Sequence, residues 1–168
     1  MTVPREIIGQ FVDAAVENAM LADELLLKYP DLRVATWLGE SILRFLAIEN
    51  YSAGIYYLVQ HGWNIDESDN FGNTILIDSV MAKAYDSVTA LLELGANPNA
   101  VSLSVDNALH CAIFSGNIKM VKVLLDGRAN PNYVTDIGET VFNVLPQNPD
   151  KNAQIRLLLM EKGVVEKA

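Results

Sequence analysis

The sequence predicts an all-α solenoid of helix–turn–helix units with extended β-turn fingers, and three observations carry that expectation. LLELGANPN at residues 91–99 returns as LLDGRANPN at residues 124–132, so that Leu91 and Leu124 stand 33 residues apart. Stepping by the same interval from Ser41 reaches Thr74, Asn107 and Thr140, four side chains able to accept hydrogen bonds from the free N–H groups at a helix start. Within each period the apolar pattern runs helix, turn, helix, with faces wider than one unit can bury alone. Stacked neighbours would bury them, and a fixed period of this length is the signature of such an array.

Along the chain, FVDAAVENAMLADELLLKYPDL (residues 11–32) reads as two amphipathic helices with a proline exit, a degenerate N-terminal cap repeat over 1–34. Units are expected at 35–67, 68–100 and 101–133, with a C-terminal cap repeat at 134–168. Gly39, Gly72, Val105 and Gly138 stand two places before each capping residue, and Leu43, Leu76, Leu109 and Phe142 two places after it. In the best preserved copy, Asn107 opens the helix ALHCAIFS and Gly116 with Asn117 breaks it. Ile118, Val121, Leu124 and Leu125 then share one helical face, and GRANPN stops the second helix. Asn50 and Lys83 occupy the inter-helix place of Gly116. Arg128 occupies the place of Gly95. A left-handed backbone there would cost about 1–2 kcal/mol, so the helix is expected to end one residue sooner, at Gly127. In the last unit, VLPQNPDKN inserts two prolines, which should distort its first helix.

Together these phrases resemble the ankyrin-repeat family. GNTILI with LLELGANPN, NALHCA with SGN and LLDGRANPN, and the weaker openings Gly39-Glu40-Ser41-Ile42-Leu43 and Gly138-Glu139-Thr140-Val141-Phe142 match its pattern over residues 39–165. The family's proline at the first helical turn is Ile42, Ile75, Ala108 and Val141 here, which forgoes a preset backbone angle. The resemblance implies about four repeats plus the N-terminal cap repeat.

Composition narrows the partners. The 168 residues are 51% apolar, enough for a sizeable core, and carry 21 acidic against 12 basic residues for a net charge of −9. Such a charge repels a phosphate backbone, so no nucleic acid is expected and a basic protein surface is. One cysteine and a start without a basic-then-apolar leader lead us to expect a reducing cytoplasm. No run of apolar residues is long enough for a bilayer, so no membrane partner is expected.

Little chemistry is expected on this frame. His110 should brace its turn, as the resemblance implies. Cys111 follows it, but successive helical residues point about 100° apart, so a buried inert thiol is expected in place of a Cys–His pair. His61 should be exposed and bland. Two separated histidines and one cysteine form no zinc set, neither phosphate-loop pattern occurs, and no cofactor or metal is expected. Asp78 stands where an apolar residue is usual, and a buried carboxylate there must be hydrogen bonded, with Arg44 or His110 as candidates, unless it serves as a base. Trp63 should fill a gap in the core.

Function must therefore come from the surface. Carried over position by position, the resemblance implies a concave groove whose finger tips are Trp37 and Leu38, Asn70 and Phe71, Leu103 and Ser104, and Asp136 and Ile137. Glu40, Asn73, Asp106 and Glu139 precede the helix caps; Ile48 and Glu49, Met81 and Ala82, Phe114 and Ser115, and Gln147 and Asn148 end the first helices. Acids beside aromatic anchors suit a protein interface, while Lys119, Lys122 and Arg156 fall on second helices. The expected protein is a non-enzymatic interaction module, monomeric when free unless Trp37, Val164 or Val165 is left exposed. With no attached effector domain expected, it would act as a stoichiometric inhibitor or immunity-type protein. An adaptor joining two partners is the alternative. A remote one is an enzyme with Asp78, His110 and Cys111 in one pocket.

Overall fold

The computed structural model describes residues 3–103 and 106–164. In chain order these form α1 (Arg5–Glu17), α2 (Ala19–Lys28), a 3-10 turn (Pro30–Val34), the hairpin β1 (Thr36–Trp37) and β2 (Glu40–Ser41), then α3 (Ile42–Ile48), α4 (Ser52–Gln60), α5 (Ile75–Met81), α6 (Tyr85–Glu93), α7 (Ala108–Phe114), α8 (Ile118–Asp126) and α9 (Pro149–Glu161). This is the expected helix–turn–helix solenoid. The short helices α3, α5 and α7 stack in one row, and α4, α6, α8 and α9 in a second, with α1 laid against α2 and α4. A single apolar core runs through the stack, including Phe11, Leu43, Leu58, Leu76, Leu91, Leu109 and Leu124.

Capping chemistry fixes where the first row begins. The side chains of Ser41, Thr74 and Asn107 accept hydrogen bonds from the backbone N–H groups of Arg44, Ile77 and His110, at 3.2, 3.3 and 2.9 Å. Each cap contributes about 1 kcal/mol. Thr140 departs from this series: residues 141–144 form turns and no α-helix. Asn143 folds back to accept from both the N–H and the hydroxyl of Thr140. Pro146, three residues after Asn143, lacks the N–H that a continuing helix would need. The expected distortion is thus the loss of the helix.

The repeated NPN phrase has a physical reason. Asn64, Asn97 and Asn130 each accept a hydrogen bond from the N–H two residues on, at 3.1, 3.0 and 3.0 Å, which closes a local turn. Asp66 then accepts from the N–H of Asn97, and Asn99 from that of Asn130, so each turn is tied to the next.

Asn50, Lys83 and Gly116 all take positive φ, 64°, 60° and 62°, between the paired helices. Arg128 does so as well, at 68°. A helix end at Gly127 was expected to spare Arg128 this conformation, and it does not. Helix α8 stops at Asp126, Gly127 keeps φ −77°, and Ala129 donates its N–H to Leu124 as Ala96 does to Leu91, both at 2.9 Å. Those bonds, repeated in both units, hold the left-handed turn at Arg128. A Cβ on Gly127 would lie 2.6 Å from Leu92 Cδ1, so the Leu92 side chain would have to shift to admit one. Arg128→Gly should therefore raise stability by about 1 kcal/mol, read as a higher urea midpoint; an unchanged midpoint would mean that Arg128 is unstrained.

Candidate functional site

Four fingers project from the starts of the first-row helices or, in the last unit, from the turns that replace one. The first is the β1–β2 hairpin; the others are closed by the single bridges Ser68 with Thr74, Ser102 with Asp106, and Val134 with Thr140. A polar slot recurs at their bases, Thr36, Asp69, Ser102 and Thr135, again 33 residues apart, and the last three side chains hydrogen bond there. Asp69 accepts from the N–H groups of Phe71 and Asn73 and from the Asn73 amide, at 2.8, 2.9 and 3.0 Å. Desolvation raises its pKa, but those hydrogen bonds and the Arg44 charge outweigh it and hold the carboxyl below its usual range. In the last finger the Thr135 hydroxyl accepts from the N–H of Glu139, while the Thr135 N–H donates to the Glu139 carbonyl. The Leu103 N–H donates to the Phe71 carbonyl at 2.9 Å, joining neighbouring fingers.

The tips so held carry Leu38, Phe71, Leu103 and Ile137, which are 67, 62, 89 and 81% exposed. Asn70 and Asp136 beside them are exposed too. At the free ends of the first-row helices, Met81 and Phe114 are exposed, Ile48 is half-buried and Glu49 exposed. Glu40, Asp106 and Glu139 occupy equivalent places at the finger bases, Glu40 exposed and the other two half-buried. Ser104, like Val105, lies outside the described residues.

Two expected groove residues are placed differently. Trp37 is half-buried, its ring edge-on to Phe45 at 6.5 Å and its Cη2 3.0 Å from where a Gly9 Cβ would lie. Packing against α1 claims that face of the indole. Asn73 is buried, its amide on Asp69 and its oxygen accepting from the Ser102 hydroxyl, so its side chain serves the fingers and not the solvent. Val164 is buried, whereas Val165 lies outside the described residues.

The basic residues sit on the second row. Lys119 of α8 lies over the Tyr85 ring, 4.2 Å from its centroid, and Arg156 of α9 lies over Phe142. His61 is not the exposed residue expected. It is half-buried, stacked on Tyr57 at 4.1 Å, with Nε2 3.0 Å from Asp23. The Tyr57 hydroxyl donates to the same carboxylate, and burial chiefly raises that hydroxyl's pKa. Trp63 stacks on Phe11 of α1 under the Arg33 guanidinium, filling a gap beside α1.

Asp78 accepts a charged hydrogen bond from Arg44, so its role is bracing. Arg44 itself is buried, which the sequence reading did not anticipate, and also reaches the Glu67 and Asn73 carbonyls and the Glu40 and Glu67 carboxylates. His110 is 2% exposed; its Nδ1 lies 3.1 Å from Asn107 Oδ1, and among the described residues Nε2 has no partner. Burial lowers its pKa, which the Asp106 and Glu139 charges partly offset. Burial also raises the pKa of the half-buried Cys111 thiol. With Asp78 held by Arg44 and His110 sealed in, the three do not share a solvent-filled pocket. Among the described residues, no group of three or more His, Cys, Asp or Glu could hold a metal ion, and no helix is long and apolar enough to cross a membrane.

Because His110 is buried neutral, an unfolded chain takes up a proton below about pH 6.5 that the folded chain refuses. Stability should therefore fall as pH drops through that value. His110→Gln should lose less stability than the parent between about pH 7 and about pH 5 in thermal melts; equal losses would remove this role.

Residues 79–125 match the family model described as ankyrin repeats (many copies). The chain is similar to human Inversin, 43% identical over 65 residues, which is 39% of this chain and 6% of Inversin. It is 37% identical over 81 residues to putative ankyrin repeat protein L92 of Acanthamoeba polyphaga mimivirus, 48% of this chain and 20% of that protein. With the DNA replication inhibitor plutonium of Drosophila melanogaster it shares 33% identity over 70 residues, 42% of this chain and 40% of the relative. The chain thus spans a small part of Inversin and less than half of the other two.

Proposed function

We propose that this chain, which belongs to the ankyrin-repeat family, binds a basic protein through its finger tips and the free ends of α3, α5 and α7. Ankyrin repeats are a protein–protein interaction module, and in general not an enzymatic one. The observation that carries the finer reading is the row of exposed apolar tips, Leu38, Phe71, Leu103 and Ile137, with side-chain hydrogen bonds closing the Phe71 and Ile137 fingers at their bases. Tips ordered before binding lose little entropy on docking. Glu40, Asp106, Asp136 and Glu139 set acids among them, and the net charge of −9 favours a basic surface. A partner masked by one face is inhibited at one-to-one stoichiometry, and the Drosophila relative carries an inhibitor's name.

The test is capture by the immobilised chain at low and high salt, alongside Phe71→Ala/Phe114→Ala as bait. A basic protein held one-to-one by the parent, released by salt and lost from the variant, supports the reading. A prey kept equally by both baits places binding on another face.

A further inference from the structure

We infer that a pocket between α1 and α3 takes the ammonium group of a lysine side chain on the protein partner. It encloses about 260 Å³ and runs from the first finger to the α3–α4 turn. That volume is below the roughly 300–1,000 Å³ typical of small-molecule sites and suits a single side chain. Three of its walls are aromatic: Trp37, Phe45 and Tyr51. The Trp37 and Phe45 rings meet at 78° with centroids 6.5 Å apart, forming a corner of aromatic surface.

Aromatic faces are negative at their centres and attract cations. Trp37 already does so within this chain, since the Arg5 guanidinium carbon lies 5.7 Å from its ring centroid. Asp13 and Glu17, one turn apart on α1, line the same pocket and are exposed. Among the described residues, neither carboxylate is used in an ion pair. A pocket with two carboxylates disfavours anions, and charge complementarity selects a cation. The corner favours lysine over arginine, because a compact ammonium fits between perpendicular rings where a planar guanidinium stacks flat on one. Leu38 adjoins Trp37 on the first finger, so an occupant would sit beside the proposed docking face.

This inference rests on the reading of a basic protein partner, yet its test needs no partner. The indole N–H signals of Trp37 and Trp63 are followed by NMR, assigned with Trp37→Phe, during titration with Nα-acetyl-lysine amide, its Nε-trimethyl form and the neutral norleucine analogue. Both cations should shift Trp37 and leave Trp63 in place, with the less hydrated trimethyl form at least as tight. Norleucine should do neither. Asp13→Asn/Glu17→Gln, both exposed and outside the core, should weaken cation binding by roughly 3- to 30-fold while the Trp63 signal reports an intact fold. Norleucine acting as well as lysine, a Trp37 signal unmoved by either cation, or unchanged binding in the double variant overturns the inference. Such a failure leaves the finger-tip face untouched, and failure to capture a partner leaves the titration untouched.

Discussion

Arg44→Ala is expected to cost about 3–5 kcal/mol of unfolding free energy, the largest loss from any single polar residue in this chain. The guanidinium lies between successive units, bonded to Asp78 ahead of it and to the Glu67 and Asn73 carbonyls. Removing it strands the Asp78 carboxylate, whose side chain is 19% exposed, together with the Glu67 carbonyl, while the Asn73 carbonyl keeps the Asp69 N–H. An uncompensated buried charge dominates that loss, more than the attraction forgone. Arg44→Met/Asp78→Leu should accordingly recover most of it. Urea unfolding reads both variants, with the midpoint moving and the slope held. A single-variant loss under about 1 kcal/mol, the scale of an exposed pair, would show that the pair braces nothing.

Phe71→Ala with Phe114→Ala should weaken partner binding about a hundredfold or more, while shifting stability by no more than about 0.5 kcal/mol per site. Both rings stand in solvent, 62 and 76% exposed, so the fold does not need them. A partner that covers them loses two aromatic anchors when they are truncated. The loss should lie in faster dissociation, since an apolar contact forms after the encounter. Surface plasmon resonance separates the rates, and a variant with the parent's dissociation rate would exclude both rings from the interface.

What was legible in the sequence was local and periodic. Ser41, Thr74 and Asn107 cap helices because capping needs only the three residues that follow. Thr140 has the same side chain but lacks a continuous helix after it, since Asn143 and Pro146 compete for that stretch. Arg128 was misread because strain at one residue was weighed alone, whereas the bond from Ala129 to Leu124, the counterpart of that from Ala96 to Leu91, holds the turn. The remaining misses are contacts between segments far apart in sequence. His61 meets Asp23, Trp37 meets Gly9, and Asn73 meets Ser102. Arg44 was named only as a candidate for Asp78, although stepping 33 residues back from His110 through Ile77 reaches it and marks it as a bracing slot. Applied to Thr36, the same step finds the finger slot of Asp69, Ser102 and Thr135.

The central claim is that charge and apolar anchors act together on one face of the stack. Its most direct test is the association rate of the captured partner, measured across salt for the parent and for Glu40→Lys/Glu139→Lys. The parent's rate should fall steeply as salt rises, and the charge-reversed variant should associate more slowly with a flatter salt dependence and a nearly unchanged dissociation rate. Identical salt profiles for the two proteins would contradict the account.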